Sequence, residues 1–209
     1  MYTLFVIGNI ASGKSTASRY LESCGARRID LDAMAKDLYV PGSTLVSDVA
    51  DAFGWDVLDQ NGCIRSAVLA ERVFASPEQT NRLNELVHPA LLEQLSKVLL
   101  PVNCCSTLTP EFPLTVVEVS AAASFTDAFG LADEIMAITA PVEVRRLRAV
   151  ERGMSLEDFD ARAACQPTER ELCALASLVI DNTEADDRLF QTLDDWVASR
   201  GIDLGARHA

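Results

Sequence analysis

Eight residues near the start of the chain have the types and the spacing that bind phosphate groups. They read Gly8-Asn9-Ile10-Ala11-Ser12-Gly13-Lys14-Ser15, which matches the pattern G-x-x-x-x-G-K-[ST]. The glycines allow a tight turn that directs successive backbone N–H groups at phosphate oxygens. An apolar run precedes the motif and a helical pattern follows it, and a helix N-terminus also attracts anions. The sequence therefore predicts a phosphate-binding loop (P-loop) for a nucleoside triphosphate, with ATP the expected nucleotide.

Two side chains of this loop can take part in chemistry as well as binding. Lys14 is placed to reach the β- and γ-phosphates, and the Ser15 hydroxyl is a suitable ligand for Mg²⁺. ATP and Mg²⁺ are therefore the expected cofactors. The predicted nucleotide-binding residues of the loop are Gly8, Asn9, Ala11, Ser12, Gly13, Lys14, Ser15 and Thr16.

The chain around the loop alternates between short apolar runs and helical stretches. Predicted strands cover residues 4–7, 28–31, 114–119, 135–139 and 178–180. Predicted helices cover residues 14–24, 32–39, 44–53, 66–74, 78–100, 142–152, 156–165 and 185–199. Continuous apolar strands are typical of a parallel sheet covered on both faces, and strand–helix alternation indicates a wound α/β fold.

One long stretch interrupts this alternation. Residues 40–113 contain no clear strand pattern, so they are interpreted as a helical insertion. Pro89 is predicted to interrupt and kink its longest helix, because proline lacks the backbone N–H that the helix needs. Residues 101–113 carry three prolines and are predicted to form a loop back into the sheet. The nucleotide-binding core is accordingly assigned to residues 1–39 and 114–209.

Charge and composition narrow the function classes. The net charge is −13 and lysine occurs only at positions 14, 36 and 97, so binding to nucleic acid is not expected. Neither Lys36 nor Lys97 has an aspartate two positions later, which disfavours a GTPase, because such proteins read guanine with Asn/Thr-Lys-x-Asp.

The remaining composition points to a cytoplasmic protein. No apolar run is long enough to span a bilayer, and no basic stretch precedes the first strand as in a signal peptide. Six cysteines and two histidines show no zinc-site spacing, so the cysteines are expected to be small apolar side chains in a reducing compartment. Cys104 and Cys105 have no nearby basic residue that would make them reactive.

Six blocks of sequence, in order, resemble the dephospho-coenzyme A kinase family. They are the P-loop, Ile29-Asp30-Leu31-Asp32 with residues 38–42, residues 53–74, Leu83-Asn84 with His88-Pro89, residues 148–166, and Val179-Ile180-Asp181-Asn182. The resemblance implies ATP-dependent phosphorylation of the ribose 3′-hydroxyl of dephospho-coenzyme A. It also implies a three-layer α/β/α P-loop kinase core with a parallel sheet, in which residues 40–113 are an acceptor-binding insertion and residues 142–166 a small helical lid.

The resemblance assigns catalytic roles to residues outside the P-loop as well. Asp32 would face the acceptor hydroxyl and take its proton, although an aspartate there can also be a helix N-cap. Arg145, Arg148 and Arg152 share one helix face, and Arg148 and Arg152 are the predicted catalytic arginines of the lid. A solvated face paired with Glu143, Glu151 and Glu157 is the alternative.

Two further blocks are expected to bind ligands. Asp181 and Asn182 would pack near the adenine, or would form a plain Asx turn. His88 is placed near the acceptor pocket by the resemblance, whereas a lone histidine is more often structural.

The sequence departs from the family pattern on the acceptor side. Where the family has Pro-Leu-Leu-Phe-Glu, this chain has Ser120-Ala121-Ala122-Ala123-Ser124, so large apolar side chains are missing from the expected acceptor wall. Glu118 keeps a carboxylate that could hold Mg²⁺. The family's arginine in the third block is displaced here, because Arg65 stands one position earlier than in the family pattern. Arg65 is therefore a candidate substrate-binding residue whose reach to the same ligand is not assured by the pattern. A related kinase for another nucleoside or nucleotide, or a nucleotide-binding protein without catalysis, therefore stays open, as does the oligomeric state.

Overall fold

Five parallel strands form a single sheet at the centre of the molecule. The computed structural model describes residues 1–100, 111–184 and 187–205. The strands are β1 (Tyr2–Ile7), β2 (Arg27–Asp30), β3 (Leu114–Val119), β4 (Glu134–Thr139) and β5 (Leu178–Asp181), in the spatial order β2-β3-β1-β4-β5. The strands predicted from apolar runs are confirmed within one or two residues at each end.

Nine α-helices are found in the described residues. They are α1 (Lys14–Ser23), α2 (Leu31–Asp37), α3 (Thr44–Phe53), α4 (Ser66–Val73), α5 (Pro77–Leu99), α6 (Val142–Glu151), α7 (Leu156–Ala164), α8 (Glu169–Ala174) and α9 (Arg188–Ser199). Of these, α8 is missing from the prediction. It is only six residues long, and its start carries a capping box between Thr168 and Glu171.

Alternate residues of each strand enter opposite cores, as the geometry of a pleated sheet requires. On one face, Phe5 and Ile7 pack with buried residues of α2, α5 and α8. On the other face, Leu4 and Val6 pack with α1 and α9. The sheet therefore lies between two helical layers, and the predicted three-layer α/β/α arrangement is confirmed.

The described part of residues 40–113 is built from helices, with a single isolated bridge between Leu58 and Ile64. Residues of α3 and α4 form a small core of their own around Val49, Phe53 and Leu69. The predicted loop at residues 101–113 lies largely outside the described residues, as do Cys104, Cys105 and the predicted start of the last helix.

The longest helix, α5, runs through His88-Pro89 without a break. The prediction that this pair interrupts the helix is therefore wrong. Val87, Leu91 and Leu95 are buried against the sheet, while Pro89 faces solvent. Burial of this apolar face outweighs the single backbone hydrogen bond that proline removes. Within the described ranges, no helix is both long and apolar enough to cross a lipid bilayer.

Candidate active site

The loop between β1 and α1 has the backbone conformation that its glycines predict. Gly13 has a φ of 112° and Ala11 a φ of 59°. A Cβ on Gly13 would lie 2.2 Å from Nδ2 of Asn182, and one on Gly8 would lie 2.6 Å from the backbone oxygen of Ile138. Among the described residues no side chain caps α1, so the N–H groups of its first turn are available to phosphate oxygens.

Both ends of the predicted lid, together with the residue after it, form hydrogen bonds with the loop. The amide of Asn9 donates from Nδ2 to the backbone oxygen of Pro167 at 2.9 Å, and the N–H of Ile10 donates to Oε1 of Gln166 at 2.8 Å. Arg145 donates from Nη1 to the backbone oxygen of Ile10 at 3.3 Å. Arg145 is buried, so it braces the loop instead of sharing an open face with the other arginines of α6.

Lys14 lies inside the loop with only 7% of its surface exposed. Burial lowers the pKa of its ammonium, whereas the nearby negative charges of Glu118 and Asp32 raise it. The structure therefore brings the predicted phosphate-binding cation together with the two predicted carboxylates, which sequence reasoning placed on three separate segments.

Ser15 and Glu118, the two predicted Mg²⁺ ligands, are in direct contact. The hydroxyl of Ser15 donates to Oε1 of Glu118, which is buried at the end of β3. Burial raises the pKa of Glu118, but hydrogen bonds from Ser15, Arg28 and Ser18 outweigh burial, and the net pKa lies below its ordinary value. A hydroxyl and an ionised carboxylate suit Mg²⁺, which usually takes one or two protein ligands together with phosphate oxygens and water.

Asp32 is the second residue of α2 and does not cap it. Oδ1 of Asp30 accepts hydrogen bonds from the N–H groups of Asp32 and Ala33 at 3.1 and 3.2 Å, so Asp30 is the N-cap. The alternative of Asp32 as the cap is therefore wrong. Although the residue as a whole is exposed, the surrounding protein desolvates its carboxylate and raises its pKa, while Ser120 and Lys14 act in the opposite direction. A carboxylate with a raised pKa beside a phosphate site is suited to accepting a proton.

The predicted lid is a pair of short helices joined by an ion pair. Nη2 of Arg146 on α6 lies 2.5 Å from Oδ1 of Asp160 on α7. Nε of Arg162 lies 2.9 Å from Oδ1 of Asp158, and the guanidinium of Arg162 stacks 4.6 Å from the ring centre of Phe74 in the insertion.

The two predicted catalytic arginines have different surroundings. Arg148 donates from Nη2 to the backbone oxygen of Thr183 at 3.3 Å, and its Nη1 is buried without a hydrogen-bond partner among the described residues. Arg152 is exposed at the end of α6. Within the described chain, neither arginine forms an ion pair with the glutamates of the alternative interpretation, Glu143, Glu151 and Glu157.

Asp181 and Asn182 close the opposite side of the loop. Oδ1 of Asp181 accepts a hydrogen bond from the N–H of Thr183 at 2.9 Å, which is the Asx turn that sequence reasoning left open. Asn182 donates from Nδ2 to the backbone oxygen of Ser12 at 2.7 Å. Its contact with the P-loop was not predicted, because residues so far apart in sequence carry no local signal.

The predicted acceptor-side residues His88 and Arg65 contact different segments of the chain. The ring of His88 lies 4.7 Å from that of Phe125, and burial lowers the pKa of His88 while a hydrogen bond that the imidazole donates to the backbone of Ser124 raises it. Arg65 is exposed on the insertion and donates to the backbone oxygen of Asp56 at 3.3 Å. The displaced arginine thus contacts the insertion's own backbone.

Comparison with known proteins identifies the family of the chain. A sequence profile of dephospho-CoA kinases matches residues 2–187. The chain belongs to the dephospho-CoA kinase family. It is 35% identical over 195 residues to a dephospho-CoA kinase of Corynebacterium diphtheriae, covering 90% of this chain and 92% of that protein. The family therefore accounts for nearly the whole chain, including the insertion.

Solved structures share the fold. The protein TT1252 from Thermus thermophilus is 28% identical and covers 95% of this chain, with 97% of its own length matched and a TM-score of 0.71. A dephospho-CoA kinase from Campylobacter jejuni is 24% identical and covers 95% of this chain and 98% of its own, with a TM-score of 0.62. The second likeness concerns the fold alone.

Proposed function

We propose that this chain transfers the γ-phosphoryl group of ATP to the ribose 3′-hydroxyl of dephospho-coenzyme A, giving coenzyme A and ADP. The observation that carries the proposal is the meeting of Lys14, Asp32 and Glu118 at the carboxyl ends of β1, β2 and β3. In wound α/β folds, ligands bind at this edge of the sheet. Family membership supplies the substrate class.

The proposed nucleotide site is the P-loop. Backbone N–H groups of residues 8–16 surround the β- and γ-phosphates, and Lys14 neutralises charge on them. Asp181 and Asn182 border the adenine. Ser15 and Glu118 would hold Mg²⁺, which supplies positive charge to the triphosphate when it is bound. The net charge of −13 supports small-molecule substrates over nucleic acid. We also infer that the enzyme acts in the cytoplasm.

The proposed chemistry depends on Asp32. Its carboxylate accepts the proton of the acceptor hydroxyl, the hydroxyl oxygen forms a bond to the γ-phosphorus, and the bond from that phosphorus to the β,γ-bridging oxygen breaks. ADP leaves with the electron pair of that bond. Arg148 and Arg152 are the proposed lid cations that stabilise charge on the transferring group, because a guanidinium fork matches phosphate oxygens.

A kinase for another nucleoside or nucleotide is the second candidate. The specific observation in its favour is the acceptor side, where residues 121–123 are alanines and Arg65 contacts the backbone of Asp56. A nucleotide-binding protein that has lost catalysis would have the same P-loop. Both alternatives have the same ATP site as the proposed enzyme. They differ from it in the acceptor that receives the phosphoryl group, or in the absence of phosphoryl transfer.

Release of ADP with and without an acceptor separates these functions. We expect ADP release to require dephospho-coenzyme A, and the product to carry its new phosphate at the ribose 3′ position. Faster turnover with another nucleoside or nucleotide in a panel would favour the second candidate. Tight ATP binding without turnover on any acceptor would indicate lost catalysis.

A further inference from the structure

One guanidinium links three elements of the site. Nη2 of Arg28, on β2, lies 2.7 Å from Oε2 of Glu118 and 2.9 Å from Oδ2 of Asp30. Nε of the same side chain donates to Oγ of Ser18, on α1, at 3.0 Å. Only 14% of the Arg28 side chain is exposed. A single, largely buried cation therefore contacts the P-loop helix, the end of β3 and the start of α2.

Each carboxylate in this group divides its two oxygens between Arg28 and the site. Oε2 of Glu118 accepts from Arg28 and from Ser18, which leaves Oε1 directed at the hydroxyl of Ser15. Oδ2 of Asp30 accepts from Arg28, whereas its Oδ1 accepts from the first N–H groups of α2. Both carboxylates thus have one oxygen held by the arginine and the other oxygen presented to a functional segment.

We propose that Arg28 is a positioning residue, which orients Glu118 against Ser15 and, through Asp30, fixes the start of the helix that carries Asp32. The roles of Glu118 and Asp32 rest on the proposed function. Arg28 itself lies behind both carboxylates and acts on the reaction through them.

The geometry requires arginine and not only a positive charge. The planar guanidinium presents several N–H donors in a fixed arrangement, and here two of its nitrogens reach three acceptors on three elements. A lysine ammonium at the same position keeps the charge but loses the fixed fork. Arg28→Lys should therefore fall between the wild type and a neutral variant.

Arg27 provides a matched control. It precedes Arg28 on the same strand, it has the same side chain, and it is exposed. Arg27→Met removes one positive charge from the same strand without touching the two carboxylates. Any effect that both methionine variants share is a general effect of charge or of the strand.

Kinetics give the first test. Removal of a group that orients the ligands of a reactive centre typically lowers activity about 10–100-fold. We expect Arg28→Met to lower kcat by about that factor with the KM for ATP nearly unchanged, since the P-loop backbone is intact. Arg28→Lys should recover part of the loss, and Arg27→Met should match the wild type.

Amide exchange gives a second readout that does not depend on turnover. In Arg28→Met the N–H groups of Asp32 and Ala33 should exchange faster with solvent, because Asp30 loses the partner that holds it as their acceptor. Their exchange should be unchanged in Arg27→Met. This measurement needs no acceptor, so it tests the inference even if dephospho-coenzyme A is not the substrate.

Two results would overturn the inference. One is wild-type kcat together with wild-type exchange of these two amides in Arg28→Met. The other is a parallel change of kcat, KM and melting temperature with no recovery in Arg28→Lys, which would indicate a purely structural ion pair. If Arg28→Met does not fold, the same two measurements on Arg28→Lys decide between these outcomes, because that variant keeps the positive charge.

Discussion

Nδ2 of Asn182 donates a hydrogen bond to the backbone oxygen of Ser12 at 2.7 Å, across 170 positions of sequence. The same amide lies where a Cβ on Gly13 would stand, so Asn182 fills the space that this glycine leaves. The end of β5 is thereby fastened to the phosphate-binding loop. This hydrogen bond therefore links the proposed adenine side of the ATP site to its phosphate side.

Removal of this contact should weaken ATP binding. Asn182→Ala deletes one hydrogen bond, which is typically worth about 0.5–1.5 kcal/mol, so we expect the KM for ATP to rise about 2–12-fold. The KM for the acceptor should change little. Steady-state kinetics with each substrate varied in turn measure both, with the exposed Asn81→Ala as the control. An unchanged KM for ATP would show that the loop keeps its shape without Asn182.

Glu134 should make stability depend on pH. Its carboxylate, at the start of β4, accepts hydrogen bonds from Arg200, Trp196 and Tyr2. The hydrogen bond from Arg200 and the other two donors lower its pKa in the folded protein, against the opposing effect of burial. Because the pKa is lower in the folded protein, the ionised carboxylate stabilises the fold at pH values above its unfolded pKa of about 4.3. This stabilisation is lost as the pH falls through the folded pKa.

Glu134→Gln should therefore destabilise the protein near neutral pH. We expect the free energy of unfolding at pH 7 to fall by about 1–3 kcal/mol, the usual contribution of hydrogen bonds to a charged group. The difference from the wild type should shrink below about pH 4, where Glu134 becomes protonated. Urea unfolding across this pH range measures the effect, with the exposed Glu22→Gln as the control. A difference that does not vary with pH would argue against this origin.

The lid should be mobile without ligands and ordered with both substrates. Residues 142–166 contact the rest of the molecule partly through the stacking of Arg162 on Phe74, a partly exposed and therefore weak contact. A lid that excludes water must close over the bound substrates. Hydrogen exchange should slow across this segment when ATP and dephospho-coenzyme A are both present. Helix α9 should serve as an internal control, and equal exchange of the lid in both states would contradict the prediction.

The alanines after β3 should weaken acceptor binding. Ala122 is 1% exposed and belongs to the core, whereas Ala123 and Ser124 are exposed. The exposed pair can therefore be enlarged without overpacking the core. Ala123→Phe combined with Ser124→Glu should lower the acceptor KM, because a side chain that packs on a ligand contributes about 1–3 kcal/mol. The KM for ATP should stay the same.

Two outcomes bear on that expectation. Ala122→Leu, the matched control, should instead destabilise the protein, because added volume in a packed core costs about 1–3 kcal/mol. If the paired substitution leaves acceptor kinetics unchanged, or if another acceptor reacts far faster, this segment marks a different substrate.

Much of the fold can be predicted from local pattern. Apolar runs indicated the strands of the sheet, and the motif at residues 8–16 indicated the P-loop with its glycines at the positions where a Cβ would clash. Such features depend on neighbours in sequence, so a single chain is enough to predict them. Pro89 shows the limit, because its effect on α5 depends on burial against a distant sheet.

The candidate site was predicted less completely, because its contacts join distant segments. Asp32 was named, but only the structure shows that Asp30 is the cap. Arg28 was missed, since one arginine in a strand carries no signal until the strand pairing places it beside Glu118. The contact of Gln166 with the backbone of Ile10 was hidden for the same reason.

The most direct test of the proposed function separates ATP binding from phosphoryl transfer in Asp32→Asn. We expect this variant to bind ATP like the wild type, because the P-loop is untouched, and to form coenzyme A about 10²–10⁴-fold more slowly, because an amide cannot accept the hydroxyl proton. Lys14→Ala should abolish transfer as well. Wild-type formation of coenzyme A by Asp32→Asn, or none by the wild-type protein, would contradict the proposed function.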